Sequence, residues 1–385
     1  MSHQDLMPDS HQPSDSINTL ALLVEPTPYL SELLDELESI VPGGVAAVYI
    51  SQQLSQEWDL GDSQVEVLPT SSIAAVLRLL TVIRRRKPDS MLIAGWAGLA
   101  QLTALLIGRV LGIRTVVTLD TFKPTSRRRA WIRRLVLRLP DHFLPAGSPQ
   151  ARFLRDQGVS DERMTLAWLT SNTERIQCYC KANRADARLR LAEQDDIPTQ
   201  ALAVAFIGRL EWIKGVDLLI DAYRRISSER ERALLIVGSG SMAPHLRDLG
   251  DEDSTIKFLG RREGDSLLDV YAAADIVVVP SRVEAWGLVV GEALASGSAV
   301  IVSDQCGAAE DLVQSTDAGL VFRMDEPNSL KDELQRLFES EALVQQCIRN
   351  AKHVASSWST KDWAACVARE LLGAVWSEPR RTDPS

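Results

Sequence analysis

Residues 276–295 read IVVVPSRVEAWGLVVGEALA, and their pattern changes from that of a strand to that of a helix within a few positions. The first five residues are apolar without alternation, which is typical of a β-strand buried on both faces. Residues 288–295 resume an apolar run after a charged loop, which indicates a helix. A doubly buried strand followed at once by a helix predicts a parallel sheet covered by helices.

Two carboxylates stand at this junction between strand and helix. Glu284 falls in the loop, and Glu292 falls about one turn inside the helix. The amides of Trp286, Gly287 and Leu288 are expected to point out of the positive end of the helix, where an anion binds. Because carboxylates accept hydrogen bonds from hydroxyl groups, the segment predicts a site for a sugar attached to a phosphate.

Short apolar strands alternate with amphipathic helices along most of the chain, which predicts βαβ units. In the first half, strands are expected at 19–24, 45–50, 65–68, 91–94, 115–119, 142–145 and 164–167, with helices such as 30–40 and 72–85 between them. In the second half, strands are expected at 203–207, 233–237, 256–259, 276–279, 299–302 and 319–322. The pattern predicts two doubly wound, Rossmann-like domains that face a central cleft.

The domain boundaries are predicted from polar segments. Residues 192–200 are polar and contain Pro198, so we expect the chain to cross between the domains there. We expect a disordered N-terminus (1–18), a first domain (19–195), a second domain (196–358), a helix that packs back on the first domain (359–376) and a disordered tail (377–385).

Composition excludes several classes of protein. The chain has 385 residues, 45% hydrophobic and 24% charged, as in a soluble globular protein. Its net charge of −10 is uneven, because residues 1–190 carry 22 Lys and Arg against 20 Asp and Glu, whereas the remainder carries 20 against 32. This acidic excess argues against a nucleic-acid partner. The five cysteines show no zinc spacing and no paired framework, so we expect reduced thiols and no metal site.

One run of sequence resembles a membrane span. Residues 91–108 contain few polar side chains, but Gly95, Gly98 and Gln101 interrupt this apolar run. We interpret the run as a strand followed by a buried helix at about 99–111. The polar N-terminus lacks the apolar core of a signal peptide, so we expect a cytoplasmic protein.

The strand at 203–207 leads directly into a loop with two cations. Gly208 permits a tight exit from the strand, and Arg209 and Lys214 follow on the same loop. The planar guanidinium of arginine can donate two parallel hydrogen bonds to phosphate oxygens. The ammonium of lysine is a compact charge on a flexible side chain. Solvated loop charges would look the same in isolation, but their order before the Glu284 segment favours a diphosphate site.

Five motifs stand in one order over residues 200–315. They are GRL-x-x-x-KG (208–215), LIVGSG (235–240), FLG (258–260), Y-x-x-AD-x-x-x-x-PS (271–281) and E-x7-E (284–292). Their order and spacing resemble the glycosyltransferases of the GT-B fold, family 4, also described as glycosyl transferases group 1.

The resemblance implies roles for the cations and for the first carboxylate. Arg209 and Lys214 would neutralise the donor's diphosphate as the glycosidic bond breaks. Glu284 would hold sugar hydroxyls. Enzymes of this kind retain the anomeric configuration and use protein cations in place of a metal, so the resemblance implies no metal and no cofactor.

It also implies donor-binding roles for a second set of residues. Glu292 would accept hydrogen bonds from the nucleotide ribose, and the backbone around Arg261 would meet the base. The amides at Trp286, Gly287 and Leu288 and the tight turn at Gly208 would lie beside the donor. The second domain would then bind the nucleotide sugar, and the first would face the acceptor.

The first half departs from the family pattern in two places. Residues 25–30 read EPTPYL where many members carry a glycine-rich loop, so that contribution to phosphate binding is in doubt. Asp120 follows the strand at 115–119, where many members carry a histidine. Asp120 is a candidate to accept a donor or acceptor hydroxyl, although a turn cap explains the same residue.

A basic amphipathic segment lies in the first domain at residues 123–139. It contains six arginines interleaved with apolar residues and lacks acidic ones. An ordinary helix with a solvated basic face explains this pattern, but with the nearby run RRRK at 84–87 we favour peripheral contact with an anionic membrane.

The sequence therefore predicts a retaining hexosyltransferase. It would move a hexose-type sugar from a nucleotide-diphosphate donor to a hydroxyl of a glycan or lipid-linked acceptor, in polysaccharide or glycolipid synthesis. Two alternatives remain open on the same fold: a sugar-nucleotide epimerase or hydrolase, and a non-catalytic nucleotide-sugar-binding partner subunit.

Overall fold

The computed structural model describes residues 18–51, 66–120 and 130–373. This part of the chain forms two six-stranded parallel sheets, each with apolar clusters on both faces. The predicted α/β class with two doubly wound domains is confirmed. The predicted disorder at 1–18 and 377–385 falls, apart from residue 18, outside the described residues.

The first sheet has the strand order β3-β2-β1-β4-β5-β6. Its strands are β1 (Thr19–Leu23), β2 (Val45–Tyr49), β3 (Glu66–Val67), β4 (Ser90–Ala94), β5 (Arg114–Leu119) and β6 (His142–Pro145). The helices between them are α1 (Pro28–Ile40), α2 (Ser72–Arg86), α3 (Leu99–Leu111) and α4 (Ala130–Val136), and α5 (Ser148–Asp156) follows β6. The order reverses between β1 and β4, and a ligand crevice is expected at their carboxyl ends.

The second sheet repeats this arrangement in the order β12-β11-β10-β7-β8-β9. Its strands are β7 (Leu202–Ile207), β8 (Arg232–Val237), β9 (Ile256–Gly260), β10 (Ile276–Val279), β11 (Ala299–Ser303) and β12 (Gly319–Phe322). Its helices are α6 (Thr173–Asp195), α7 (Val216–Arg224), α8 (Ala243–Gly250), α9 (Gly264–Ala273), α10 (Leu288–Ser296), α11 (Ser329–Glu339) and α12 (Glu341–Ser357). Here the reversal lies between β7 and β10.

One predicted strand is wrong. Residues 164–167 form no strand of the first sheet; Met164 makes only an isolated bridge to Phe143 beside β6. The segment is the exit from the first domain, because Thr165 and Ala167 donate backbone bonds to Phe143 and Pro145 and the chain then turns into α6. A single extended run beside an edge strand has the same apolar pattern as a strand, so periodicity did not separate the two.

Helix α6 continues into the segment that was expected to be a linker. Its buried residues Ile176, Cys180, Ala187 and Leu191 lie in the same apolar cluster as the core of the second sheet. The helix packs mainly against α9 and α10. We therefore propose that the domain boundary precedes Thr173 rather than following residue 195.

The apolar run at 91–108 divides as the sequence indicates. Its first part is β4, and the second is α3, which ends at Gly112 with φ 71°. No helix within 18–51, 66–120 or 130–373 combines the length and the apolar character needed to cross a bilayer.

The last helix, α13 (Thr360–Leu372), returns to the first domain. It begins with a capping box in which Ser359 and Asp362 each accept the other's backbone amide. Trp363 is buried in the cluster that joins α13 to α1 and the first sheet, so α13, which follows the helices of the second domain, packs on the first domain.

Replacing Trp363 by alanine tests this attachment. Removing a buried tryptophan leaves a cavity, and the free energy of unfolding should fall by about 3–5 kcal/mol. The measurement is denaturant unfolding, with Lys361→Ala, an exposed residue two positions away, as the control. Equal midpoints for the two variants would contradict the packing described here.

Candidate functional site

Two close backbone contacts shape the carboxyl edge of the second sheet. Gly238 follows β8 with φ 137°, and a Cβ built on it would lie 1.8 Å from the carbonyl oxygen of Gly208. Gly215, with φ 68°, is equally confined, because its Cβ would lie 2.1 Å from the carbonyl oxygen of Pro280. Only glycine fits at these two positions, and the loops after β7, β8 and β10 are thereby drawn together.

The contact between Gly215 and Pro280 brings together the two predicted charged residues on either side of it. Lys214 ends a 3₁₀ turn (Trp212–Lys214) and forms an ion pair with Glu284. Both side chains are more than four-fifths buried, with 18% and 17% of their surface exposed. Ser281 Oγ also donates to Glu284 Oε2 over 3.3 Å. A pair as buried as this is costly to break without a substitute charge.

The loop that carries Glu284 is held by the segment after β11. The backbones of Glu284 and Cys306 form an isolated parallel β-bridge. The Gly307 amide donates a hydrogen bond to the Glu284 carbonyl over 3.1 Å. The Cys306 thiol donates to the Trp286 carbonyl over 2.9 Å. Burial raises the pKa of Cys306 to about 12, so this thiol stays protonated and acts as a structural donor rather than a nucleophile.

Helix α10 begins beside this pair. Gly287 occupies its N-cap position with φ 100°, and no side chain in the described part of the chain caps the helix. The first amides of the helix and its positive dipole are directed toward the edge of the sheet where Lys214 lies. This end of the helix is suited to an anion, as the sequence indicated.

Glu292 lies on α10, four residues beyond its start. Its carboxylate accepts a 2.5 Å hydrogen bond from the Tyr271 hydroxyl of α9. Burial raises the pKa of Glu292, and the bond from Tyr271 opposes that rise. Glu292 in turn contributes to the raised pKa of Glu32 on α1, whose main cause is burial.

The remaining predicted cations lie at other loops of the same edge. Arg209 directly follows Gly208 and is partly buried; its charge helps to lower the pKa of Glu211, which is lowered mainly by hydrogen bonds from Ser241. Arg261 follows β9, is exposed and pairs with Glu263 at 2.5 Å. The structure thus joins Lys214 directly to Glu284 and gives Arg209 and Arg261 acidic neighbours of their own.

Asp120 lies at the end of β5, and a buried amide ties its backbone to the second domain. Gln150 Nε2 donates to the Asp120 carbonyl over 2.5 Å and to the Ala285 carbonyl, next to Glu284, over 2.9 Å. Gln150 is fully buried, and its Oε1 has no hydrogen-bond partner in the described structure. One side chain therefore fixes the distance between the two loops that carry predicted site residues.

Further bonds hold α5 of the first domain against the second domain. The Ser148 amide and hydroxyl donate to Asp311 over 2.7 and 2.5 Å, in a π-helical turn (Ala309–Gln314). Arg152 forms a bidentate ion pair with Glu310, with nitrogen–oxygen distances of 2.7 and 2.6 Å. Beside them, the buried Trp286 ring abuts the backbone at Gly147, and its Nε1 donates to the Leu169 carbonyl over 2.6 Å.

A cavity of about 460 Å³ opens at the carboxyl edge of the first sheet. Most of its lining is apolar, from strands β1, β4 and β5 and from Trp363 of α13. Its polar groups include Glu25, Tyr29 and Asp120. Burial raises the pKa of Tyr29 to about 12, so its hydroxyl remains a hydrogen-bond donor. The cavity can hold a group with a large apolar part and a few hydroxyls.

Sequence reasoning missed two residues of this site. Tyr271 lies in a quoted motif but received no role, and its partner Glu292 lies 21 positions away. Gln150 carries no sequence signal beyond its position at the start of a helix after a strand. No group of three His, Cys, Asp or Glu side chains suited to a metal occurs among the described residues.

Part of the second domain is similar to a known family of proteins. Residues 188–354 match the family model described as "Glycosyl transferases group 1". The chain is 33% identical over 229 residues to the D-inositol 3-phosphate glycosyltransferase of Corynebacterium efficiens, covering 54% of this chain and 52% of that one. It is 33% identical over 210 residues to the GDP-mannose-dependent monoacylated alpha-(1-6)-phosphatidylinositol monomannoside mannosyltransferase of Corynebacterium glutamicum, covering 51% and 52%. The chain spans about half the length of these relatives.

Solved structures share the whole architecture. Anabaena HepE in complex with UDP superposes with a TM-score of 0.74 at 16% identity, covering 92% of this chain and 99% of that one. WaaG, a glycosyltransferase involved in lipopolysaccharide biosynthesis, superposes with a TM-score of 0.69 at 16% identity, covering 92% and 100%. The predicted GT-B fold is confirmed.

Replacing Gln150 by leucine tests the bond between the domains. The change keeps the volume but removes the donor from two carbonyls, and the free energy of unfolding should fall by about 1–3 kcal/mol. Calorimetry would measure it, with Gln314→Leu at an exposed position as the control. A Gln150→Leu protein that unfolds like the wild type would refute this role for the amide.

Proposed function

We propose that this chain, a GT-B protein whose residues 188–354 form a group 1 glycosyl transferase domain, is a retaining glycosyltransferase of family 4. It would move a hexose-type sugar from a nucleotide-diphosphate donor to a hydroxyl acceptor. The observation that carries the proposal is the buried pair of Lys214 and Glu284 beside the uncapped start of α10. An anion and a sugar hydroxyl are the two groups that such a constellation would bind together.

Charge stabilisation would be the main source of catalysis. When the donor binds, its diphosphate would replace Glu284 as the partner of Lys214, with Arg209 as the second cation. As the bond to the sugar breaks, the leaving phosphate gains negative charge, which these cations and the α10 dipole stabilise. Because protein groups supply this positive charge, we propose that the reaction proceeds without a metal.

Glu284, released from Lys214, would accept hydrogen bonds from the hydroxyls of the transferred sugar. Glu292 would receive the ribose hydroxyls, with Tyr271 holding its carboxylate in place. The amides of Trp286, Gly287 and Leu288 and the turn at Gly208 would line the donor, and the backbone near Arg261 would meet the base. Positioning of this kind lowers the barrier because the reacting groups are aligned before the reaction, so less entropy is lost on reaching the transition state.

The acceptor would approach from the first domain. Asp120 lies on the rim of the apolar cavity, and its loop is tied through Gln150 to the loop of Glu284. We propose that Asp120 orients the acceptor hydroxyl toward the donor sugar. The relatives named above act on inositol phosphate and on an acylated phosphatidylinositol mannoside by their descriptions. Synthesis of a polysaccharide or glycolipid on the cytoplasmic side is the context we propose.

Replacing the cations tests the leaving-group role. Arg209→Ala and Lys214→Ala should each lower turnover at least about tenfold, or roughly 1.4 kcal/mol of lost stabilisation. Lys352→Ala, an exposed cation on α12, is the control. The assay follows donor consumption with and without acceptor, and NMR of the product reads the anomeric configuration. Unchanged turnover in both variants would exclude the proposed phosphate site, and consumption that ignores the acceptor would favour an epimerase or hydrolase.

Nucleotide binding is testable without knowledge of the acceptor. A nucleoside diphosphate at 100 times its dissociation constant should stabilise the fold by about 2.7 kcal/mol, seen as a thermal shift with UDP, GDP or ADP. Glu292→Gln should weaken the shift by the cognate nucleotide, since the ribose loses a charged acceptor, whereas Glu341→Gln on exposed α12 should not. The absence of a shift with all three would count against the donor site.

A further inference from the structure

Helices α2, α3 and α4 form one outer layer over the first sheet. Buried residues of α2 and α3 and Leu137, directly after α4, belong to a single core cluster on that side of the sheet. Helix α2 also packs against α3. The sides of these helices that point away from the sheet therefore form one surface, here called the outer face of α2–α4.

This outer face is strongly apolar. Of the sixteen exposed large apolar side chains in the described structure, ten lie on these three helices. Ile73 and Val110 are the extremes, with 73% and 81% of their surface exposed, and Trp131 is exposed to 64%. On α2 the exposed residues Ile73, Leu77 and Leu80 recur at helical spacing, opposite the buried Leu79 and Ile83. A helix with apolar residues on both sides needs a partner for its second side.

The charges on the same helices have one sign. Within their bounds α2, α3 and α4 contain seven arginines and no aspartate or glutamate, in a chain whose net charge is −10. Two of the seven, Arg78 and Arg85, pair with Glu66 of β3. Arg84, Arg86 and Arg109 are exposed. A protein surface that is apolar and basic together is complementary to an anionic lipid surface.

We propose that the outer face of α2–α4 docks on an anionic bilayer. Its apolar side chains would enter the headgroup region, and its arginines would bind lipid phosphates. The sequence indicated membrane contact only through 123–139, of which 123–129 lie outside the described residues. The proposed main contact lies on α2 and α3, where the sequence pointed only to the run RRRK at 84–87 and interpreted 99–111 as a buried helix.

The docking surface is continuous with the cavity of the first domain. Gly98 and Gln101 at the first turn of α3, and Arg133 of α4, line that cavity. An acceptor anchored in the bilayer would thus reach the cavity along the helices that touch the lipid. This delivery rests on the proposed function, whereas the docking itself does not.

Vesicle flotation with the full chain tests the docking directly. Two triple variants separate its components: Ile73→Gln with Leu77→Gln and Val110→Gln, and Arg84→Gln with Arg86→Gln and Arg109→Gln. The control combines Leu189→Gln on α6 with Arg349→Gln on α12, both exposed and outside the surface. Vesicles are phosphatidylcholine alone or with 30% phosphatidylglycerol, so the assay needs neither donor nor acceptor.

Wild type and control should float with the anionic vesicles and not with the neutral ones. The arginine variant should bind the anionic vesicles about 100-fold more weakly, at about fivefold for each arginine. The apolar variant should lose binding to a similar degree with an unchanged melting temperature. Flotation that ignores lipid charge, or that both variants retain, would overturn the proposal. So would sedimentation that shows a dimer dissociated by the apolar variant, because the face would then join two copies of the chain.

Discussion

The candidate site depends on how closely three loops approach one another at the carboxyl edge of the second sheet. The backbones at Gly208 and Gly238, and at Gly215 and Pro280, leave no room for a methyl group between them. This approach places Lys214 against Glu284 although 70 positions separate them in the chain. The ion pair is therefore a product of sheet topology, since β7 and β10 flank the point where the strand order reverses.

The segment that carries Glu284 also joins the two domains. Ala285 accepts a bond from Gln150, and the Trp286 ring lies against the first domain at Gly147. A change in the angle between the domains would therefore move the loop that holds Glu284. In the proposed reaction, domain closure would assemble the site through this coupling, because the carboxylate and the domain contact lie on adjacent residues.

The sequence predicted most of the fold because both of its signals are local. Doubly buried strands and amphipathic helices are visible in short windows, and α3 was placed at its observed bounds, Leu99–Leu111. Helix α6 was not predicted, because its surface is largely polar and its end resembles a linker; the packing of Ile176 and Leu191 on the second domain is what reveals the helix. The motifs named Lys214 and Glu284 as site residues, and the structure pairs these two side chains; their role in a site stays a prediction. Tyr271 and Gln150 were missed because their partners are distant in sequence, and no pattern within one window encodes such a contact.

The two domains differ in the chemistry of their carboxyl edges, as the proposed transfer between two unlike substrates requires. The second domain carries the acidic excess, yet at the carboxyl edge of its sheet Lys214 lies in an ion pair with Glu284 near the start of α10. The first domain offers an apolar cavity with few polar groups, and an outer layer rich in arginine and exposed apolar residues. In the proposed reaction, an apolar cavity beside the charged site would exclude water on domain closure, which would strengthen each charge interaction and favour a hydroxyl acceptor over water. Apolar side chains that are not packed in the core line this cavity and also cover the outer face of α2–α4. The proposed bilayer-bound acceptor would explain the apolar character of both the cavity and the outer face.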